Sequence, residues 1–480
     1  MKKLYLVLIV VFQLSCFAQN KELLYNFTAI PQSSLVNPGA DVAYKFYFGV
    51  PVLSGISANL GSSSFSAYDL FANNGVNFND KIRNVINKSS SRDKTQINQQ
   101  LELFSGGFRV GGKDSQSYLS FGAYQEFDFL MYVPKDPAIL ALDGNKDYIG
   151  KSFNLSDLNL RAEVLSVFHV GFHKKVSEKL VLGGRAKIYS SGANATSTRN
   201  SGYIYTGQAA GTPNLYTQTI SSNLEIKTSG IATFTKDEYD GSIPSDIVHN
   251  TFFNGSLGLG LDAGFTYYFK DNLQLTASIV DLGFVRQSKD IETLTYKGTY
   301  HYEGVNPNFD NSNEPKNIFD DFDKAIPRDT LYNKYTTLRP TKFYSSLQYS
   351  FGESRSDEDC NCHGKVTRKY VNGVGGQLFA MSMPVEPFVA LTAFYRRNIF
   401  EKLDVKATYT VDSYSSKNIG LGFAGTLGKL NMYVLVNNLL ELKDVSKANS
   451  MAFQFGFNFV FNLKIPNENG IKWLQNYELI

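Results

Sequence analysis

The stretch "FQFGFNFVFNL", residues 453–463, places Phe453, Phe455, Phe457, Phe459 and Phe461 at alternate positions, with Gln454, Gly456 and Asn458 between them. Successive side chains of a β-strand point to opposite faces, so a strand built on this stretch has one apolar face and one hydrophilic face. A soluble sandwich can carry the same alternation with the phenylalanines turned inward. The fold is decided by what lies against each face.

The period recurs along the chain. In "SLGLGLDAGFTYYF", Leu257, Leu259, Leu261, Ala263, Phe265, Tyr267 and Phe269 alternate with Ser256, Gly258, Gly260, Asp262, Gly264 and Thr266. After a turn at Asp271-Asn272, Leu273, Leu275, Ala277 and Ile279 resume the apolar edge opposite Gln274, Thr276 and Ser278, which reads as a hairpin with matched faces. Many such runs reach the ~9–11 residues that a tilted strand needs to cross a bilayer, whereas soluble strands are typically ~5–6 residues. Glycines, serines and charges such as Arg185 and Lys187 on the polar edges suit a wet lumen, so the apolar edges face lipid. Tyr267, Phe269 and Tyr349 at strand ends fit aromatic girdles. The expected fold is an all-β transmembrane antiparallel barrel of about fourteen strands, within a range of about twelve to sixteen.

Composition agrees with one large barrel. The 480 residues are 43% hydrophobic, with 37 Phe, 29 Tyr and a single Trp, and the net charge is only +3. No global field favours nucleic acid. Lys2 and Lys3, the apolar run Leu4 to Leu14 and Cys16-Phe17-Ala18 read as an export signal cleaved after Ala18. Cys16 is also a lipid-attachment candidate, but Gln13 stands where a lipobox carries an aliphatic residue. Beyond the signal no apolar run reaches ~18 residues, so a mature membrane-embedded chain has to close a barrel. Residues 19–463 are assigned to it, which gives an outer-membrane location.

Four segments depart from the alternation. Over 79–104, Ile82, Val85 and Ile86 and then Ile97, Leu101 and Phe104 recur at helical spacing, which predicts a helical plug or cap. Polar insertions at 228–252 and 304–340 read as external loops. The tail 464–480, with Trp473, reads as a short periplasmic helix or a frayed end.

Glu126, Asp128, Arg161, Glu163, His169, His173, Arg185 and Lys187 fall on polar edges of neighbouring strands and are expected to form a lumenal charge lattice. Cys360 and Cys362, one residue apart in an exported chain, favour a disulfide or free thiols over a soft-metal site completed by His363. "DGNKD" at 143–147 lacks the glycine and glutamate of a calcium loop and reads as a turn. No nucleophile elbow is present, so a non-enzymatic protein without a cofactor is expected.

"SSLVNPGADVAYKFYFGVP" (33–51), "LDGNKDYIGKSFNLSDLNL" (142–160), "KLVLGGRAKIYSSGANATST" (179–198) and the closing "QFGFNFVF" resemble a family of uncharacterised outer-membrane proteins of Bacteroidota. That family is similar to the PorP/SprF and PorV barrels of type IX secretion and to plugged fatty-acid-transporter (FadL-like) barrels. The resemblance implies an outer-membrane location and a plugged barrel, and no catalytic residues. The leading expectation is a subunit or accessory of an envelope complex, with outer-membrane lipid and other envelope proteins as partners. The alternatives are a conduit for a small hydrophobic ligand and a diffusion pore. A conduit calls for an apolar pocket behind the helices at 79–104, a subunit for a filled lumen and an exposed apolar patch, and a pore for an open polar channel.

Overall fold

The computed structural model describes residues 21–42, 44–111, 116–209, 215–303, 318–353, 370–400 and 402–461. The export signal, the cysteines with His363, and the tail lie outside the described residues.

Fourteen antiparallel staves close into a barrel. The first is interrupted, Phe46–Gly49 and then Ile56–Ser62. Lys94–Val110, Ser117–Tyr132, Leu160–Ser177, Leu180–Ser197, Ser256–Lys270, Leu273–Gln287, Lys342–Glu353, Tyr370–Met381, Phe388–Phe400, Leu403–Val411, Asn418–Leu427, Leu430–Asn437 and Ser450–Phe461 follow. The last stave pairs back onto both halves of the first, Phe461 opposite Phe46 and Phe455 opposite Ile56, which closes the wall. Most short turns gather at one rim, together with the longer connection 354–369, and the longest connections at the other, the asymmetry of outer-membrane barrels, whose short turns are periplasmic.

The alternation is realised with its apolar side outward. Leu257, Leu259 and Leu261 are 46, 58 and 61% exposed, while Asp262 and Thr266 on the opposite face are buried. Along Ser450–Phe461 the phenylalanines also point outward, and Gln454, Gly456 and Asn458 point into the lumen. Lipid is the medium that suits that outer surface.

Gly456 has its own reason. Between Gly49 and Ile56 the first stave carries six residues opposite two of its partner, and this excursion brings the Ser54 carbonyl onto the place a Cβ at 456 would occupy. The Tyr433 hydroxyl donates to that carbonyl at 3.1 Å.

The expectation of helices over 79–104 holds for one half and is corrected for the other. Phe78–Lys88 is a helix, opened by Asn77, whose side chain accepts from the Asn79 amide at 2.9 Å. Ile82 and Ile86 pack with Val133, Ile139 and Phe153 at the long-loop rim, forming a cap there. Residues 94–110, by contrast, are a wall strand. A bulge between Glu102 and Phe104 shifts its parity, so Ile97, Leu101 and Phe104 all face outward at intervals of four and three, the spacing of a helix. The insertions also hold ordered elements: Ile243–Asn250 and Ile318–Ala325 are helices. Strands 201–208, 216–229, 291–302 and 328–331 extend the sheet beyond the rim.

The lumen is filled by residues 21–42, a run of turns around the short 3-10 helix Pro31–Leu35. Leu23, Leu24, Tyr25, Phe27 and Ile30 pack on Tyr344, Phe379, Phe388, Tyr433 and Leu435 of the wall. A buried irregular segment has carbonyls that no ladder satisfies, and lumenal side chains meet them. Lys406 Nζ donates to Tyr25 O at 2.6 Å, Leu23 O at 3.2 Å and Glu22 O at 3.3 Å. Asn431 donates to Ala29 O, Ser278 to Val36 O and Thr266 to Gly39 O. Asn37-Pro38-Gly39 folds into a tight turn, the Asn37 side chain accepting from the Gly39 amide at 2.9 Å. The turn sits so close to Gly183 and Gly264 that a side chain at either would overlap it.

Candidate functional site

The polar faces of seven staves and the loop residue Arg339 meet behind this plug. Arg339 donates to Glu126 Oε2 at 2.8 Å and to Asp128 Oδ2 at 3.3 Å, and also to the Glu163 carboxylate, while its guanidinium lies 5.4 Å from the Tyr189 ring centre. Asn98 donates to Asp128 at 2.6 Å and to Glu126 at 3.1 Å. Arg161 approaches Glu163 at 3.7 Å.

A second group adjoins the first. Lys187 Nζ lies 2.6 Å from Asp281 and 2.9 Å from Asp262, and Lys342 Nζ lies 2.9 Å from Asp281 and 3.7 Å from Glu126, which joins the two groups. Arg185 bridges Asp262, at 3.2 Å, and the plug, donating to Ser34 O and to Leu35 O. The charges balance locally, which is the condition for keeping ionised groups away from water.

Asp281 reaches the network because of a bulge. Leu261 pairs with Leu282 but Ala263 with Ile279, so Val280 and Asp281 both turn inward, with Asp281 at φ 62°. The Asp281 amide donates to Asp262 Oδ1 at 2.8 Å, which fixes the two carboxylates side by side.

Of the eight residues expected in a lattice, Glu126, Asp128, Arg161, Glu163, Arg185 and Lys187 enter this network. His169 and His173 face the lumen but stand outside it. His169 is buried near Tyr124, its ring nitrogens without a hydrogen bond among the described residues, and His173 stacks on Tyr118 at 5.1 Å. Sequence reasoning missed Arg339, Lys342, Asp281 and the role of Asp262. Asp262 sat on a legible polar edge; Arg339 lay inside an apparent loop with nothing to mark it.

Between plug and network remains a cavity of about 40 Å³, lined by Lys21, Glu126, Lys187, Asp281, Lys342 and Tyr344 among others. That is room for about three or four waters at most, at roughly 10–15 Å³ of probe volume each. Among the described residues no three His, Cys, Asp or Glu side chains gather in a metal-holding arrangement.

A closed fourteen-stave antiparallel barrel with an apolar outer wall and a polar lumen defines an outer-membrane-type β-barrel. The chain belongs to a family of unknown function, DUF5723, whose profile matches residues 38–437. No curated protein matches it. Among solved structures it is similar to a TodX monoaromatic hydrocarbon channel mutant, with 10% identity, 90% of this chain and 94% of that chain covered, and TM-score 0.39. A Pseudomonas aeruginosa FadL homologue gives 9% identity, 93% and 100% coverage and TM-score 0.39. A mutant Rh. blastica porin gives 9% identity, 86% and 99% coverage and TM-score 0.24.

Proposed function

We propose that this barrel is a non-enzymatic subunit or accessory of an envelope complex, held in the outer membrane and docking through its long-loop rim. The observation that carries the reading is the filled lumen. Residues 21–42 occupy it with their carbonyls met by wall side chains, which argues against a standing pore. The rim supplies a docking surface. Tyr68, Phe71, Val76 and Phe78 are exposed there, as are Leu440 and Leu442 of the neighbouring connection, which Lys447 joins to Tyr68 by a cation–π contact. A secretion-related complex is the one the sequence resemblance favours.

Purification from native membranes in mild detergent tests this. A partner protein at fixed stoichiometry, lost from a Phe71→Asp/Phe78→Asp variant that still folds, is the expected result; a barrel that purifies alone sinks the reading.

The interruption at Val50–Gly55 supports a second reading, a conduit for a small hydrophobic ligand that leaves sideways through the wall when the plug shifts. Radiolabelled palmitate entering vesicles that hold the wild-type protein, and blocked when a disulfide ties plug to wall, is the outcome that would favour it.

A further inference from the structure

On the outer wall, Gly376 is a glycine the backbone does not require. Its φ is not in the left-handed region, and a Cβ there would meet nothing within 4 Å. Its neighbour Gly375 is different: a side chain there would run into the Leu347 carbonyl and the Phe394 ring. Across the staves, register places Leu347, Gly376, Ala393 and Tyr409 in one row, so two small residues stand between two large ones. The result is an apolar depression of about 730 Å³, with Leu347, Val374, Leu378, Leu391 and Tyr409 among its lining residues.

A polar pair lies beyond the lining of the depression, on the same outer face. Four residues toward the short-turn rim, past Val374 and Tyr395, Asn372 pairs with Arg397, and Arg397 points outward, exposed and without an ion pair among the described residues. The Tyr395 hydroxyl donates to Asn372 Oδ1 at 2.7 Å beside it. From the Gly376–Ala393 pair to the Asn372–Arg397 pair is four residues, ~13 Å along the strand. At a tilt of about 45° this is roughly 9–10 Å of depth, within the ~15 Å of one leaflet's hydrocarbon. The depression and the Arg397 guanidinium are therefore within the reach of one acyl chain, with Arg397 on the short-turn side.

We propose that this groove is a binding site for one phospholipid of the inner leaflet, an acyl chain lying over Gly376 and Ala393 and the anionic phosphate meeting the Arg397 guanidinium, with Asn372 and Tyr395 at the headgroup. An apolar concavity in a bilayer has hydrocarbon as its natural filling, and a guanidinium four residues along the same outer face favours a chain that ends in phosphate. The site depends on the wall facing lipid and is independent of what the rims bind.

The test uses the full chain, folded into vesicles of phosphatidylethanolamine and phosphatidylglycerol, extracted in dodecyl maltoside, washed and examined by native mass spectrometry. One phospholipid per barrel is expected on the wild type, and at least tenfold less on Gly376→Leu, which fills the floor, and on Arg397→Gln, which removes the cation. Heat-modified gel mobility verifies that each variant is a folded barrel. A wild type without stoichiometric lipid overturns the proposal, and so do folded variants that keep as much lipid as the wild type. Lipopolysaccharide outcompeting phospholipid on the wild type overturns the assignment to the inner leaflet.

Discussion

Gln32 and Asn458, 426 residues apart, exchange two amide hydrogen bonds, Gln32 Nε2 to Asn458 Oδ1 at 2.8 Å and Asn458 Nδ2 to Gln32 Oε1 at 3.0 Å. Asn458 is wholly buried. The polar edge of the Phe453–Phe461 stretch is thus the receptor for the plug, just as its apolar edge is the surface for lipid. Asn458→Leu leaves the Gln32 carbonyl unpaired and is expected to cost about 1–3 kcal/mol. Gln32→Leu combined with Asn458→Leu should cost less than the sum of the two single changes. Urea unfolding in detergent micelles measures all three.

Arg339 holds three carboxylates, so its loss is felt by all of them. Arg339→Met is expected to destabilise the barrel by about 3–5 kcal/mol, because Glu126, Asp128 and Glu163 stay buried. Arg339→Lys should recover only part of that, since a single ammonium does not span the fork. Unfolding midpoints of the two variants provide the comparison.

The orientation of the wall is open to a direct check. Leu259→Arg puts a charge on the outward face of a long stave and is expected to cost about 2–4 kcal/mol in a bilayer. Leu331→Arg, on a rim strand and 44% exposed, should cost about 0–1 kcal/mol. Equal tolerance of both in folding into vesicles would contradict a lipid-facing wall.

Gly183 makes room for the Asn37-Pro38-Gly39 turn. Gly183→Val is expected to lift the turn off the wall while leaving the barrel closed. A Val36→Cys reporter, at a position now buried, should then react with a maleimide at least tenfold faster than in the unmodified background.

The barrel was legible because a period of two survives any choice of partner strand: Leu257 to Phe269 and Phe453 to Phe461 each name their own outer face. Legibility failed where the period slips. The bulge at Glu102–Phe104 made a strand imitate a helix, and the one at Val280–Asp281 turned an acidic residue into the lumen against its neighbours' parity. Arg339 and Lys342 enter the network through pairings distant in sequence that local pattern does not encode. The lumenal segment 21–42 carries no sequence signal for a related reason. Its turns carry no repeat, and what holds Tyr25 or Ala29 in place is a lysine or an asparagine about 400 residues downstream.

That distance governs assembly. The hooks for residues 21–42 come from staves early and late in the chain, and Asn458 belongs to the one that seals the seam against Phe46. A nascent copy translocated with its beginning first therefore carries an unsheltered stretch of leucines, tyrosine and phenylalanine until its final staves arrive. Over that interval the bare segment is a natural client for a holding chaperone.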